Sequence, residues 1–154
     1  MLTERDMRPE DLATASALGI RSKASWGYAP SAMAIFRREL TLDADALRAC
    51  LAAKVAIQEN KMAGYFTLKS SGSTAVELEH MFVDPDFFRS GIGTQLFRLA
   101  VGVAREHKAT EIQLISDPNA VGFYQKMGAR ITAEHQSSIA DRRIPVMTFT
   151  IPTP

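Results

Sequence analysis

One cysteine stands in 154 residues, so Cys50 has no partner within the chain and no internal disulfide is available. An unpaired thiol suits a reducing compartment, and the expected location is the cytoplasm. Histidine is nearly as scarce. His80, His107 and His135 stand far apart with no cysteine beside them, which excludes the ligand spacing of a metal site. An excess of charge is missing too: the net charge is +1, so bulk electrostatics gives no pull toward nucleic acid or an anionic membrane. No apolar run approaches the roughly 18 residues of a membrane helix. The opening MLTERDMRPEDL is charged where a secretory signal is apolar. No repeat, linker or low-complexity stretch divides the chain. What remains, 46% hydrophobic and 23% charged, is enough for one sizeable core and reads as a single domain over residues 1–154.

Periodicity supplies the layout. A short strand is predicted over residues 1–5, and Pro9 at a first-turn position opens a helix. Leu12, Ala15, Leu18 and Ala24 fall roughly on one face of it, as far as Ser25. Gly27 and Pro30 break that helix, and Ser31 is the expected cap of a second one carrying Met33, Ile35, Phe36 and Leu40. Residues 43–51 read as a short third helix. The period then changes to two. KVAIQEN and GYFTLKS are strand-like runs joined through residues 60–63, and STAVELEHMFV is the expected central strand. After it come a helix to about His107, the strand EIQLIS, a capped helix in DPNAVGFYQKMGA ending at Gly128, and the strands RITAEHQSS and PVMTFTI. Strands mixed with crossing helices predict an α/β or α+β sheet of six or seven strands.

The chemistry is concentrated in DPDFFRSGIGTQLF, residues 84–97. Gly91 and Gly93 stand where Leu96, Leu99, Ala100, Val103 and Ala104 begin to recur at helical spacing. Glycine there lets backbone N–H groups approach a ligand closely. A helix N-terminus with free N–H groups binds anions, most often phosphate. A P-loop is excluded because no lysine follows Gly93. A dinucleotide-binding turn is excluded because Leu96 stands where its third glycine belongs and the turn comes past the middle of the chain.

VDPDFFRSGIGTQLF resembles the coenzyme A pyrophosphate turn of the GNAT superfamily of acetyl-CoA-dependent N-acetyltransferases. There a Val-x-Pro strand end leads to Gln or Arg, two residues, then Gly-x-Gly or Gly-x-Ala and an amphipathic helix. NAVGFYQKMGA resembles the superfamily's later helix through Ala120, Tyr124 and Gly128, and RSKASWGY looks like the opening of one group of small members. The resemblance covers nearly the whole chain. It implies the acyl-CoA N-acyltransferase fold, a mixed, mostly antiparallel sheet flanked by about four helices, with acetyl-CoA as cosubstrate and no metal. One position departs: the Gln or Arg falls on Phe88, with Arg89 one place later.

The resemblance implies roles residue by residue. Backbone N–H groups of Phe88, Arg89, Ser90, Gly91, Ile92, Gly93 and Thr94 ring the pyrophosphate. Met81, Phe82 and Val83 pair with the pantetheine arm, and an N–H near Met81 polarises the thioester carbonyl. Asn119, Phe123 and Tyr124 complete the cofactor wall. An acceptor ammonium has a pKa near 10.4, so a base must take a proton. Regular alternation puts Glu77, Glu79, Met81 and Val83 on one strand face and Leu78, His80 and Phe82 on the other, which makes Glu77 and Glu79 the candidate bases. Tyr124 is the candidate acid toward the departing thiolate, whose thiol has a pKa of roughly 8.5 if it behaves like cysteine.

Trp26 and Tyr28, between the first two helices, are expected at the acceptor wall. In SIADRRIP, Arg143 is the candidate partner for an acidic group of the substrate and Arg142 reads as solvated. An apolar wall with a cationic rim suits a compact amine with an apolar body or a carboxylate. The expected activity is acetyl transfer to the primary amine of a small molecule. Protein N-terminal or lysine acetylation is the second reading, and a non-catalytic acyl-CoA-binding module is the third. PVMTFTI is a candidate pairing strand for a homodimer.

Overall fold

A computed structural model describes residues 1–153 and contains seven strands and five helices. They are β1 (Thr3–Asp6), α1 (Leu12–Ala24), α2 (Pro30–Leu40), α3 (Ala44–Ala49), β2 (Ala52–Gln58), β3 (Lys61–Ser70), β4 (Ala75–Val83), α4 (Ile92–Glu106), β5 (Glu111–Ile115), α5 (Val121–Met127), β6 (Arg130–Gln136) and β7 (Arg143–Thr150). The strands make one sheet in the order β1-β2-β3-β4-β5-β7-β6. Only β4 and β5 run parallel; every other neighbouring pair is antiparallel.

Local chemistry accounts for the boundaries. Pro9 opens a single 3-10 turn ahead of α1. Asp11 secures it by accepting both Arg5 guanidinium nitrogens, at 2.7 and 2.9 Å, and the Arg8 N–H at 2.7 Å. The second helix starts at Pro30, with Ala29 as its N-cap, rather than on Ser31. A proline's fixed φ and missing N–H cost nothing in a first turn, so Pro30 sets the start. Asp43 caps α3 through the Ala46 N–H at 2.7 Å. The β2–β3 hairpin turns on Glu59 (φ 54) and Asn60 (φ 62), tighter than the expected residues 60–63. Two consecutive positive φ values match the strand twist and allow a two-residue loop.

Helices cover both faces of the sheet. Ile92, Leu96, Phe97, Ala100, Val103 and Ala104 form the buried stripe of α4, which packs with Phe66, Leu68, Val76 and Leu78. On the opposite face, Ala15 and Leu18 of α1 meet Val55 and Tyr65, while Met33, Phe36 and Leu40 of α2 close over Phe82. Full burial of such a side chain is worth about 1.5–3 kcal/mol, which fixes both layers on the sheet.

The centre of the sheet is irregular in two linked ways. Thr67 pairs with His80 but Leu68 pairs with Leu78, so Glu79 is an extra residue, a bulge in β4. The bulge overturns the expected face assignment. Val76, Leu78, Met81 and Val83 pack on the α4 side, whereas Glu77, His80 and Phe82 follow Lys69, Thr67 and Tyr65 on the α1–α2 side. Glu79 joins that second group by accepting Lys69 Nζ at 2.8 Å. Bulges bend and twist the strand that carries them. Beyond Glu77, paired with Gln113, no β4 residue has a partner on β5, although β5 stays paired with β7 as far as Ile115. The two parallel strands part, and the sheet opens between them.

Candidate active site

The gap is lined by backbone. Asp84 N–H donates to Ala63 O at 2.8 Å, which makes Ala63 and Asp84 a hydrogen-bonded pair. Such pairs alternate along an antiparallel ladder. Val83 and Met81, opposite Gly64 and Phe66, therefore turn their N–H and C=O groups away from β3 and into the space β5 has left.

At the end of β4, Asp84 fixes the next turn. Its carboxylate accepts the Asp86 N–H at 2.9 Å and the Arg21 guanidinium of α1. After a 3-10 turn at Pro85–Phe87, Arg89 (φ 64) and Gly91 (φ 82) are both left-handed, and Gly91 is the N-cap of α4. The first helical bond there runs from Gln95 N–H to Gly91 O, 3.1 Å. The N–H groups of Ile92, Gly93 and Thr94 therefore have no helical acceptor. A Cβ on Gly91 would meet nothing within 4 Å, so the space over the turn is open. One on Gly93 would lie 3.4 Å from the Phe123 ring and 3.8 Å from Val83. That contact joins the start of α4 to α5 and to the end of β4. Phe88 is 43% exposed beside the turn, and Arg89 is exposed as well.

Tyr124 points from α5 into the α4-side core, its ring 6.0 Å from Phe97 and 5.1 Å from Phe123. Burial alone pushes its phenol up, with no hydrogen-bonding group contributing, so the hydroxyl holds its proton at neutral pH. Across the sheet, Glu79 is held by Lys69 and lies 3.7 Å from His80 Nε2. Two further polar atoms share that face without a partner among the described residues: the Tyr65 and Thr67 hydroxyls, both fully buried. Nothing in the sequence distinguished them from strand packing.

His80 carries a pH dependence. Burial pulls its pKa below the ordinary histidine value, against the pull of Glu79 and Glu39, while Lys69 adds to the lowering. The unfolded chain binds a proton near pH 6.5 that folded His80 resists. Its share of the stability is therefore complete above about pH 6.5 and is lost as the pH falls through the lowered folded value. Urea denaturation across this range is expected to show declining stability, and His80→Gln to flatten the decline. An equally steep decline in the variant would assign it to another group.

Side chains from four separate segments meet at a mouth beyond the end of β5. Tyr28 donates its hydroxyl to Asp117 Oδ2 at 2.7 Å, and Lys23 Nζ sits 2.6 Å from the same oxygen. Arg142 Nη2 donates to Tyr28 Oη at 2.7 Å. Asn119 donates its N–H and its side-chain amide to Asp117 Oδ1 at 2.8 and 2.9 Å. Burial works against the Asp117 carboxylate, but the bonds from Lys23, Tyr28 and Asn119 outweigh it and hold its pKa below the ordinary range. Burial, reinforced by Asp117, raises that of Tyr28. Phe36 meets Tyr28 edge to face at 4.9 Å.

Tyr28 and Asn119 lie together at the mouth, and Trp26, in the α1–α2 break, is half exposed. The two arginines are placed differently from the sequence expectation. Arg143 is paired with Glu134 on the exposed surface, whereas Arg142 turns inward over Tyr28. Lys23 and Asp117 were not singled out by the sequence, because their partners lie up to 94 residues away.

An open sheet parted between its only parallel strands, with a glycine-led helix N-terminus beside the opening, is the architecture of acyl-CoA-dependent acyltransferases. The chain belongs to the acetyltransferase (GNAT) family, whose model matches residues 19–129. Solved structures share the fold along essentially the whole chain. One is a PaiA N-acetyltransferase from Thermoplasma acidophilum in complex with coenzyme A, 20% identical with a TM-score of 0.80 over 97% of this chain and 99% of that one. Another is an aminoglycoside 6'-N-acetyltransferase complexed with coenzyme A, 19% identical, TM-score 0.75, covering 100% and 99%. A third is a ribosomal-protein alanine N-acetyltransferase from Escherichia coli, 20% identical, TM-score 0.72, covering 100% and 96%. Their acceptors range from a small molecule to a protein. Among the described residues no helix is long and apolar enough to cross a membrane.

Proposed function

We propose that the protein moves the acetyl group of acetyl-CoA directly to the primary amine of a small molecule. The open space over Gly91 and the unpaired N–H groups after it fit a pyrophosphate, aided by the helix dipole. The gap edge at Met81 and Val83 fits an extended arm carrying amides, and leaves one N–H for a carbonyl oxygen. Acetyl-CoA supplies a thioester whose carbonyl carbon takes the amine's lone pair as its C–S bond breaks. The chain's residues supply the proton traffic. Glu79 or Glu77 takes the proton from the acceptor ammonium, next to a His80 that burial keeps neutral. Tyr124 gives a proton or hydrogen bond to the departing sulfur, with a hydroxyl committed to nothing else.

One observation supports a small acceptor above all. The Arg142–Tyr28–Asp117 chain ties the β6–β7 turn and the α1–α2 break to the end of β5, so a peptide lying between those segments would have to break it. Thiol release from acetyl-CoA is therefore expected to be faster with some member of a small-amine panel than with a set of peptide N-termini. Faster turnover of the peptides would replace this reading with protein acetylation. Tight acetyl-CoA binding with silence on both panels would make the protein an acyl-CoA-binding module.

A further inference from the structure

In the mouth two cations, Lys23 and Arg142, stand around one largely buried carboxylate, Asp117. Asp117 has both oxygens occupied, by Lys23, Tyr28 and Asn119. Arg142 lies 4.0 Å from that carboxylate, and among the described residues its only close acceptor is the Tyr28 hydroxyl. A guanidinium has five N–H donors in a planar fork, so most of those on Arg142 are unused. The side chain is nevertheless only 20% exposed, and its cationic carbon lies 5.0 Å from the Tyr28 ring centroid. Lys23 is held in the same way, 4.4 Å from the Phe36 centroid. A half-buried cation with free donors costs free energy unless a partner arrives.

Arg142 lines a cavity of about 190 Å³ together with Lys23, Phe36, Ile115 and Ile144. Ile115 and Asp117 belong to both this cavity and the end of β5 beside the sheet gap, so a molecule in the cavity adjoins the acyl site. Glu39 lines it from α2, held by the Ser138 hydroxyl at 3.1 Å, and its charge is felt at His80. The cavity therefore carries both signs of charge, with Arg142 and Lys23 cationic, Asp117 and the exposed Glu39 anionic, and Phe36 and Ile144 apolar.

We infer that the cavity binds an amine acceptor carrying a carboxylate, an apolar amino acid or its close analogue, with Arg142 gripping the carboxylate. The inference rests on the small-amine reading above and narrows it. A planar guanidinium fork matches a carboxylate in two-point geometry, which is the contact Arg142 lacks. Glu39 supplies a counter-charge for the ammonium before it gives up its proton.

The test is thiol release with acetyl-CoA and a set of apolar L-amino acids, each beside its amide and its decarboxylated amine. The carboxylate-bearing member of the preferred trio is expected to exceed both relatives in kcat/KM by more than about tenfold, the size of one charge-assisted contact. Arg142→Gln is expected to remove that preference, mainly through KM, with thermal unfolding close to the parent's. Calorimetric titration of the parent with the same amino acid and amide gives a second readout that does not depend on turnover. Equal or faster turnover of the amines lacking a carboxylate overturns this inference and leaves the small-amine reading standing. So does an Arg142→Gln variant that binds acetyl-CoA and keeps the full preference. Silence on every member, with acetyl-CoA bound, overturns this inference, and the small-amine reading falls only if the wider small-amine panel is silent as well.

Discussion

Tyr124→Phe is expected to lower kcat by about 10²-fold, the lower end of what a positioned acid contributes. The substitution deletes one oxygen and keeps the ring, whose contacts with Phe97 and Phe123 are what tie α5 to the core. The residue is buried, and no hydrogen-bonding group acts on its hydroxyl. Its removal leaves no orphaned partner behind, so stability is expected to change little. KM for acetyl-CoA is expected to stay within a few-fold, because the contact proposed for Tyr124 strengthens only as the sulfur gains charge. Steady-state kinetics, with single-turnover measurements to establish that chemistry limits turnover, checks this. An unchanged kcat under those conditions would reduce Tyr124 to packing.

Gly91→Val is expected to weaken acetyl-CoA binding by more than tenfold. At φ 82 a β-branched residue carries strain of about 1–3 kcal/mol, which the loop relieves by rotating its N–H groups out of their common direction. Each 1.4 kcal/mol of lost interaction is about tenfold in affinity. The new side chain also projects into the open space over the turn, where nothing of the protein lies within 4 Å of its Cβ. Because that space is not core, the fold is expected to persist, and a thermal melt separates loss of binding from loss of structure. Gly91→Ala, strained but smaller, is expected to fall between Val and the parent. Unchanged affinity in a folded Gly91→Val protein would remove the phosphates from this turn.

What was legible in the sequence was local. Gly91 and Gly93 stand beside the apolar stripe they introduce, so a glycine-led helix start is visible from fourteen consecutive residues. Gly128 ends α5 with its left-handed φ of 108, and the seven strands follow from period-two runs between turn residues. The bulge was not legible. Counting alternate residues along β4 assumes an unbroken ladder, and one extra residue at Glu79 moves Met81 and Val83 to the opposite face from Glu77. The same bulge accompanies the parting of β4 from β5, so the irregularity that defeats the count lies beside the site. The mouth was illegible for a different reason. Tyr28 meets Arg142 across 114 residues, and nothing in ADRRIP distinguishes the arginine that turns inward from the one that pairs with Glu134. Only tertiary packing of the β6–β7 turn against the α1–α2 break decides between them.

The central claim is that acetyl-CoA binds along the parted edge of β4 with its pyrophosphate on the N-terminus of α4. The most direct measurement is a titration of the isotope-labelled protein with acetyl-CoA, followed through backbone amide chemical shifts. Saturable binding is expected, with the largest shifts at the amides of residues 89–94 and further shifts at Met81 and Val83. Saturable binding that leaves those amides unmoved, or shifts centred on the far end of the sheet, would contradict it.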